Sequence, residues 1–326
     1  MNFNLNIIRS NKILFNTSMK FIGKCTNDRF LNKLPHGLLD IIYLRTRTNL
    51  QKRFEWRRNP NRTKKILHKY ISLIQKYQSI DNKVLLELGC GKVNSLSLAT
   101  AFLMNGCRKV YAIETSSAYD KTDFKHEAIA SGLYEMILDC YAFKNEWLLN
   151  KNETYYNNIL NTINMEALSR GDWEKAINGL DIILDDCGID GLAVQKGSID
   201  IMVSWAVFEH IHNFESTIHD IYNIMNNDGI LVHVVDFRDH RAIFYNKYNE
   251  WSFLCENDTY KDEMCNRLRV NEMKEIFDEV GFDVLEIIRK SKKIPENIYN
   301  KLDPHYKKMT KEDIETIQCD FIIRKP

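Results

Sequence analysis

The run Val84-Leu-Leu-Glu-Leu-Gly-Cys-Gly91, followed 23 residues later by Glu114 at the end of Val-Tyr-Ala-Ile, constrains this 326-residue chain more than any other segment. A short apolar strand breaks into a Gly-x-Gly turn, a helix follows, and a second short strand ends on a carboxylate. An open α/β sheet holds the ribose of a nucleoside at its carboxyl edge in this way. Gly89 and Gly91 let the backbone approach a ligand with no Cβ between them. Glu114 can accept both ribose hydroxyl hydrogens as a bidentate pair.

The rest of the chain supplies the other strands of such a sheet. Arg62 to Tyr77 has apolar residues at helical spacing and reads as a helix leading into a first strand at 84–88. A helix at about 95–105 and a strand at 109–113 follow. Strand three is read at Leu180–Leu184, ending on Asp185-Asp186, with Tyr134–Leu138 as the alternative. Strand four is Ser198–Ser204, followed by a helix at about 215–225. The turn Asn226-Asn-Asp-Gly229 then opens strand five at 230–235. A helix at 272–280 stops at Gly281, and strands at 282–288 and 316–323 complete seven. With no clear crossover helix between them, the last two strands are expected to be antiparallel. The expected fold is therefore α/β: a Rossmann-like, doubly wound, mostly parallel seven-stranded sheet with an antiparallel last strand. A basic helical N-terminal extension over 1–80 would precede the sheet domain of 81–326. That domain would carry a helical insertion at about 119–180 and a second, acceptor-side insertion at about 236–268.

Charge and cysteine content narrow the class. Residues 1–65 carry fifteen Lys or Arg against three acids, a net of +12 that leaves −11 for the remainder of a chain of net +1. Such a segment suits an anionic neighbour: a phosphate-bearing substrate, an anionic membrane surface or RNA. A solvated helix face balanced by the acidic body is the plainer reading. The first 27 residues contain no acid and four basic residues. They lack a compact apolar core or small-residue cleavage site, so an arm is expected rather than a targeting peptide. No pair among the eight cysteines has Cys-x-x-Cys spacing. Buried thiols in a reducing, cytoplasmic setting are expected, with no transmembrane segment.

Four blocks, Val84-LLELGCG, Val110-YAIE114, Ser198-IDIMVSWAVFEHI and Asn227-DGILVHVVD236, resemble the class I S-adenosylmethionine-dependent methyltransferases. The block after strand four is the most specific. A dinucleotide fold would want a third small residue to pack around a pyrophosphate, and Asn94 stands there. The methyltransferase pattern commonly has another glycine where this chain has Val93. The resemblance implies S-adenosyl-L-methionine as cofactor. Glu87, Gly89 and Gly91 would line its methionine and ribose side, and Glu114 would take the ribose hydroxyls. Asp186 and Cys187 would meet the adenine edge, with Ser204 and Trp205 beneath the methyl group.

If the methyl group goes to a hydroxyl, a His or carboxylate must take the displaced proton. Two groups qualify: Glu209-His210 after strand four, and the segment from His233 to Arg241 after strand five. His210 or His240 is expected as general base, oriented by Asp236 or Asp239. A divalent metal held by Asp236, Asp239 and His240 is a minor alternative, and no metal ligand is assigned. The later stretch, with Asn266-Arg-Leu-Arg269, resembles methyltransferases of bacterial cell-surface polysaccharide assembly. O-methylation of a sugar, nucleotide sugar or glycan-linked group is thus the leading expectation. The partner would be a small-molecule or glycan acceptor, with an anionic one suiting the basic segment. The alternatives are an RNA methyltransferase, for which no binding module is visible, and an inactive binding protein of the same fold. Oligomeric state is not readable.

Overall fold

The computed structural model describes residues 60–91, 96–115, 136, 144–149, 162–164, 166–167, 175–184, 194–256 and 265–326. Asp186, Cys187, Val93, Asn94, the basic stretch from Arg45 to Arg58 and most of 119–180 lie outside them.

In chain order the elements are α1 (Pro60–Ile74), β1 (Val84–Leu88), α2 (Ser97–Met104), β2 (Lys109–Glu114), α3 (Lys144–Trp147) and β3 (Leu180–Leu184). They continue with β4 (Ile199–Trp205), a 3-10 turn at Phe208–His210, α4 (Phe214–Ile224), β5 (Met225–Asp236), α5 (Arg241–Phe244) and a 3-10 turn at Ser252–Cys255. Last come α6 (Val270–Val280), β6 (Asp283–Ser291), α7 (Glu296–Tyr299), α8 (Pro304–Lys307), α9 (Lys311–Glu315) and β7 (Thr316–Arg324). The strands form a seven-stranded sheet in the order β3-β2-β1-β4-β5-β7-β6. Strand order reverses between β1 and β4, the position at which doubly wound sheets open a crevice for a ligand.

The chain divides into two compact units. One comprises the described residues of Met1–Ile71, Ile80–Asn82 and Cys90–Leu184. In it β2 and β3 pair in parallel, Glu114 opposite Leu184. Every residue of α2 is buried, and Phe102 packs against Tyr70 of α1 with ring centroids 6.4 Å apart. Asn105 ties down the backbone of the α3 region by donating to Trp147 O at 2.7 Å and accepting from Leu149 N at 2.8 Å.

The other unit comprises the described residues of Ser72–Ser79, Lys83–Gly89 and Asp185–Pro326. Here β1, β4 and β5 run parallel. Strand β7 is antiparallel to β5 on one side and to β6 on the other. The apolar runs of β1 and of β5 from Ile230 are buried on both faces, as expected of central strands in a covered sheet. Phe277 of α6 meets Phe321 of β7 edge-on at 5.4 Å, and Phe208 meets Phe214 at 5.2 Å. β6 is the exposed edge, where Glu286 accepts hydrogen bonds from Lys76 and Tyr77. No helix among the described residues is long and apolar enough to cross a membrane.

One boundary differs from its expectation. The turn predicted at 226–229 is a bulge inside β5: Met225 already pairs with Ile199, and pairing resumes at Ile230 with Ile201. The turn-forming residues act as foreseen, with Asp228 at φ 60°, but the strand begins before them.

Candidate functional site

Gly89 leaves β1 at φ 72°. A Cβ on it would lie 2.4 Å from Val207 Cγ2, so the turn can approach the chain leaving β4 only with glycine there. Glu87 is buried within β1. At the end of β4, Trp205 is partly exposed, and Ala206 holds φ 55°, a conformation few alanines adopt. Local strain of this kind concentrates at functional sites.

In the other unit, Gly91 N donates to Glu114 Oε2 at 2.7 Å, and Thr115 N donates to Glu114 Oε1 at 3.0 Å. Thr115 Oγ1 also lies 3.5 Å from Glu114 Oε1. An ionised carboxylate offers about four lone-pair sites, so one further donor can be taken directly and a second in place of that long contact. A Cβ on Gly91 would meet no described atom within 4 Å. A fastened, acceptor-only group at a glycine turn fits the vicinal hydroxyls of a nucleoside.

Ser204 is buried on β4, opposite His233 of β5. Its Oγ lies 2.7 Å from His233 Nδ1, and the imidazole stacks on Phe208 with centroids 3.9 Å apart. Burial drives the His233 pKa from 6.5 down to about 3. A histidine whose folded pKa is depressed contributes full stability above its unfolded pKa, and loses it as pH falls from 6.5 toward 3. At about 1.4 kcal/mol per pH unit, roughly 2 kcal/mol should be gone by pH 5. Urea midpoints at pH 7 and pH 5 check this: His233→Asn should narrow the gap between them, and an unchanged gap counts against it.

The carboxyl ends of β4 and β5 carry the polar groups. Glu209 is 3% exposed, and neither carboxylate oxygen has a hydrogen-bond partner among the described residues. Burial is the main cause that pushes its pKa up to about 8. His240 Nε2 lies 4.0 Å from Glu209 Oε1 and 3.8 Å from Asp236 Oδ2. The His210 and His240 rings are 4.9 Å apart. His240 is held below the usual imidazole pKa, first by desolvation, against the opposing pull of Asp236.

Of the four residues expected to be catalytic, His210, His240 and Asp236 therefore come together. Asp236 also accepts from Arg238 Nε at 2.8 Å and from Arg238 N at 3.1 Å. Asp239 is fully buried and taken up by Arg241, whose backbone N and Nε each donate to Oδ1 at 2.9 Å, with Nη2 donating to Oδ2 at 2.7 Å. Sequence reasoning passes over Cys265, and it includes Glu209 and Arg238 in the two polar groups without giving either a role. Glu209 was adjacent to a nominated histidine. Its burial was the missing signal, and burial here depends on packing from segments distant in sequence.

Residues 56–287 match the family described as a methyltransferase domain. No curated protein matches the chain. Among solved structures, a Listeria monocytogenes protein described as an S-adenosylmethionine-dependent methyltransferase is similar at 12% identity and TM-score 0.41, over 79% of this chain and 96% of that one. Geranyl diphosphate C-methyltransferase from Streptomyces coelicolor A3(2) is similar at 9% identity and TM-score 0.44, over 79% of each chain.

Proposed function

Because the chain belongs to the methyltransferase-domain family, we propose that it transfers a methyl group from S-adenosylmethionine to a hydroxyl oxygen of a small-molecule or glycan acceptor. A sugar, nucleotide sugar or glycan-linked group is the acceptor class. The cofactor, when bound, supplies an electrophilic methyl group on a sulfonium. Glu114 would accept from its ribose hydroxyls, and Gly89 and Gly91 would let the backbone approach it. Asp186 and Cys187 remain assigned to the adenine edge by resemblance alone.

The observation that carries O-directed chemistry is the cluster of Glu209, His210, Asp236 and His240 at the carboxyl ends of β4 and β5. Methyl transfer in line needs alignment and exclusion of water above all. A hydroxyl acceptor adds one requirement, a nearby group to take its proton. The cluster supports this with buried atoms, both Glu209 oxygens and His240 Nε2, that have no hydrogen bond among the described residues. Asp239, bound to Arg241, would hold the backbone that presents His240.

Product analysis with S-adenosylmethionine and a panel of hydroxyl-bearing sugars and nucleotide sugars tests the reading, with O-methylated product expected. His240→Asn should lower turnover about 100-fold, the low end of the range for acid–base groups, with S-adenosylhomocysteine affinity retained. Unchanged turnover in both His240→Asn and His210→Asn would falsify the role of the cluster. Methyl incorporation into RNA instead of sugars would replace the acceptor class.

A further inference from the structure

We propose that His210, His240 and Cys265 form a binding site for a divalent transition metal, with Zn²⁺ the ion that their donor chemistry favours. The ligand atoms of these three side chains all lie within 4.8 Å of one another. Ligands of a tetrahedral Zn²⁺, with bonds of about 2.0–2.3 Å, stand roughly 3.3–3.8 Å apart. Closing the difference takes about 1 Å, which small side-chain rotations supply.

Three elements far apart in sequence are fastened to bring the donors together. His210 ends the 3-10 turn after β4, and His240 precedes α5 after β5. Cys265 opens the segment leading to α6, and the next residue clamps that segment onto the His210 turn. Asn266 Nδ2 donates to Phe208 O at 2.7 Å and to Ile211 O at 2.8 Å, and Asn266 N donates to Glu209 O at 2.7 Å. On the His240 side, the Asp239–Arg241 pair and the bond from Asp239 N to Glu250 O at 2.9 Å hold the backbone.

A second observation points to a cation independently of the donor geometry. Glu209 is 3% exposed, and its oxygens accept no hydrogen bond from any described residue. Its Oε1 lies 4.0 Å from His240 Nε2, which likewise has no hydrogen bond among the described residues. A buried carboxylate without a hydrogen bond is costly, and a dication beside it would offset that cost. Two imidazoles and a thiolate select Zn²⁺ over Mg²⁺ or Ca²⁺. Three protein ligands leave a fourth position open, as in catalytic rather than structural zinc sites. With the ion bound, His210 and His240 would serve as its ligands rather than as the base, and the metal would acidify a hydroxyl held at the open position. The oxygen-rich set of Asp236, Asp239 and His240 is a weaker candidate, because Arg238 and Arg241 already occupy its carboxylates.

Titration of the metal-free full-length protein with Co²⁺ tests the site through absorbance, without any methyl transfer, so its outcome is separate from that of the O-methyltransferase reading. One equivalent should produce the visible bands of a four-coordinate cobalt site and a thiolate-to-cobalt charge-transfer band. Cys265→Ser should remove the charge-transfer band, and Cys319→Ser should leave it. His210→Asn, altered at an exposed position, should weaken Co²⁺ binding at least about 10-fold, the lower bound known for residues that only support a ligand. If Cys265→Ser does not fold, the charge-transfer band of the wild type and the His210→Asn affinity decide the matter. Absence of that band in the wild type, or wild-type affinity in His210→Asn, overturns the proposal.

Discussion

Replacing Arg269 with leucine should destabilise the unit that carries β4 to β7 by roughly 3–5 kcal/mol, the usual cost of removing one member of a buried charged network. Arg269 is fully buried. Its Nη1 donates to Phe237 O at 2.9 Å, and its Nη2 donates to Asp313 O at 2.9 Å, Ile314 O at 3.1 Å and Thr316 O at 2.5 Å. Ile314 O also accepts from Trp251 Nε1 at 2.9 Å and would keep a partner. The other three carbonyls would each lose the bond from Arg269, and an unsatisfied buried acceptor costs about 1–3 kcal/mol. Desolvation lowers the guanidinium pKa to about 10, which still leaves it charged near neutrality. The same side chain joins the loop after β5, through Phe237, to the start of β7, so the backbone carrying Asp236 and His240 should loosen with it. Urea unfolding measures the first effect. Arg269→Lys should fall between the two, since an ammonium donates three bonds but lacks the planar fork. A Leu variant within 1 kcal/mol of wild type, on the scale of an ordinary surface change, would remove this role.

Glu114→Ala should weaken S-adenosylhomocysteine binding on the order of 1,000-fold, read by calorimetry. Two charge-assisted hydrogen bonds to ribose hydroxyls are worth about 1.5–3 kcal/mol each, and tenfold in affinity is about 1.4 kcal/mol. The substitution also removes the acceptor of Gly91 N and Thr115 N, so the turn loses its fastening. Glu114→Gln separates the two contributions. One amide oxygen can still accept from Gly91 N, but the ribose pair is spoiled, so most of the loss should persist. Full affinity in Glu114→Gln with a large loss in Glu114→Ala would make Glu114 a support of the turn alone.

Much of the fold was legible because central strands of a covered sheet are short apolar runs with sharp stops. Val84–Leu88, Leu180–Leu184 and the strand near 199–205 were read close to their observed limits. Gly281 ends α6 in the left-handed region, as its position after an amphipathic run implied. Residues 226–229 were less clear, since Asn-Asn-Asp-Gly favours a turn wherever it falls, and only pairing with β4 makes it a bulge within β5. The insertion of β7 between β5 and β6 is likewise a matter of pairing, which local pattern does not encode.

By itself the sequence determined the sheet's central strands, the glycine turn after β1 and the carboxylate ending β2, because each depends on neighbours in the chain. It also marked His210, His240 and Asp236 as unusually polar for loops between apolar strands. Only the tertiary structure decided what those groups do to one another. It buried Glu209 without a hydrogen bond to its carboxylate among the described residues, gave Asp239 to Arg241, and brought Cys265 to the two histidines across a segment fastened by Asn266. Burial and the proximity of distant residues come from packing, so they leave no local trace in the chain. Those two quantities set the chemistry of the cluster.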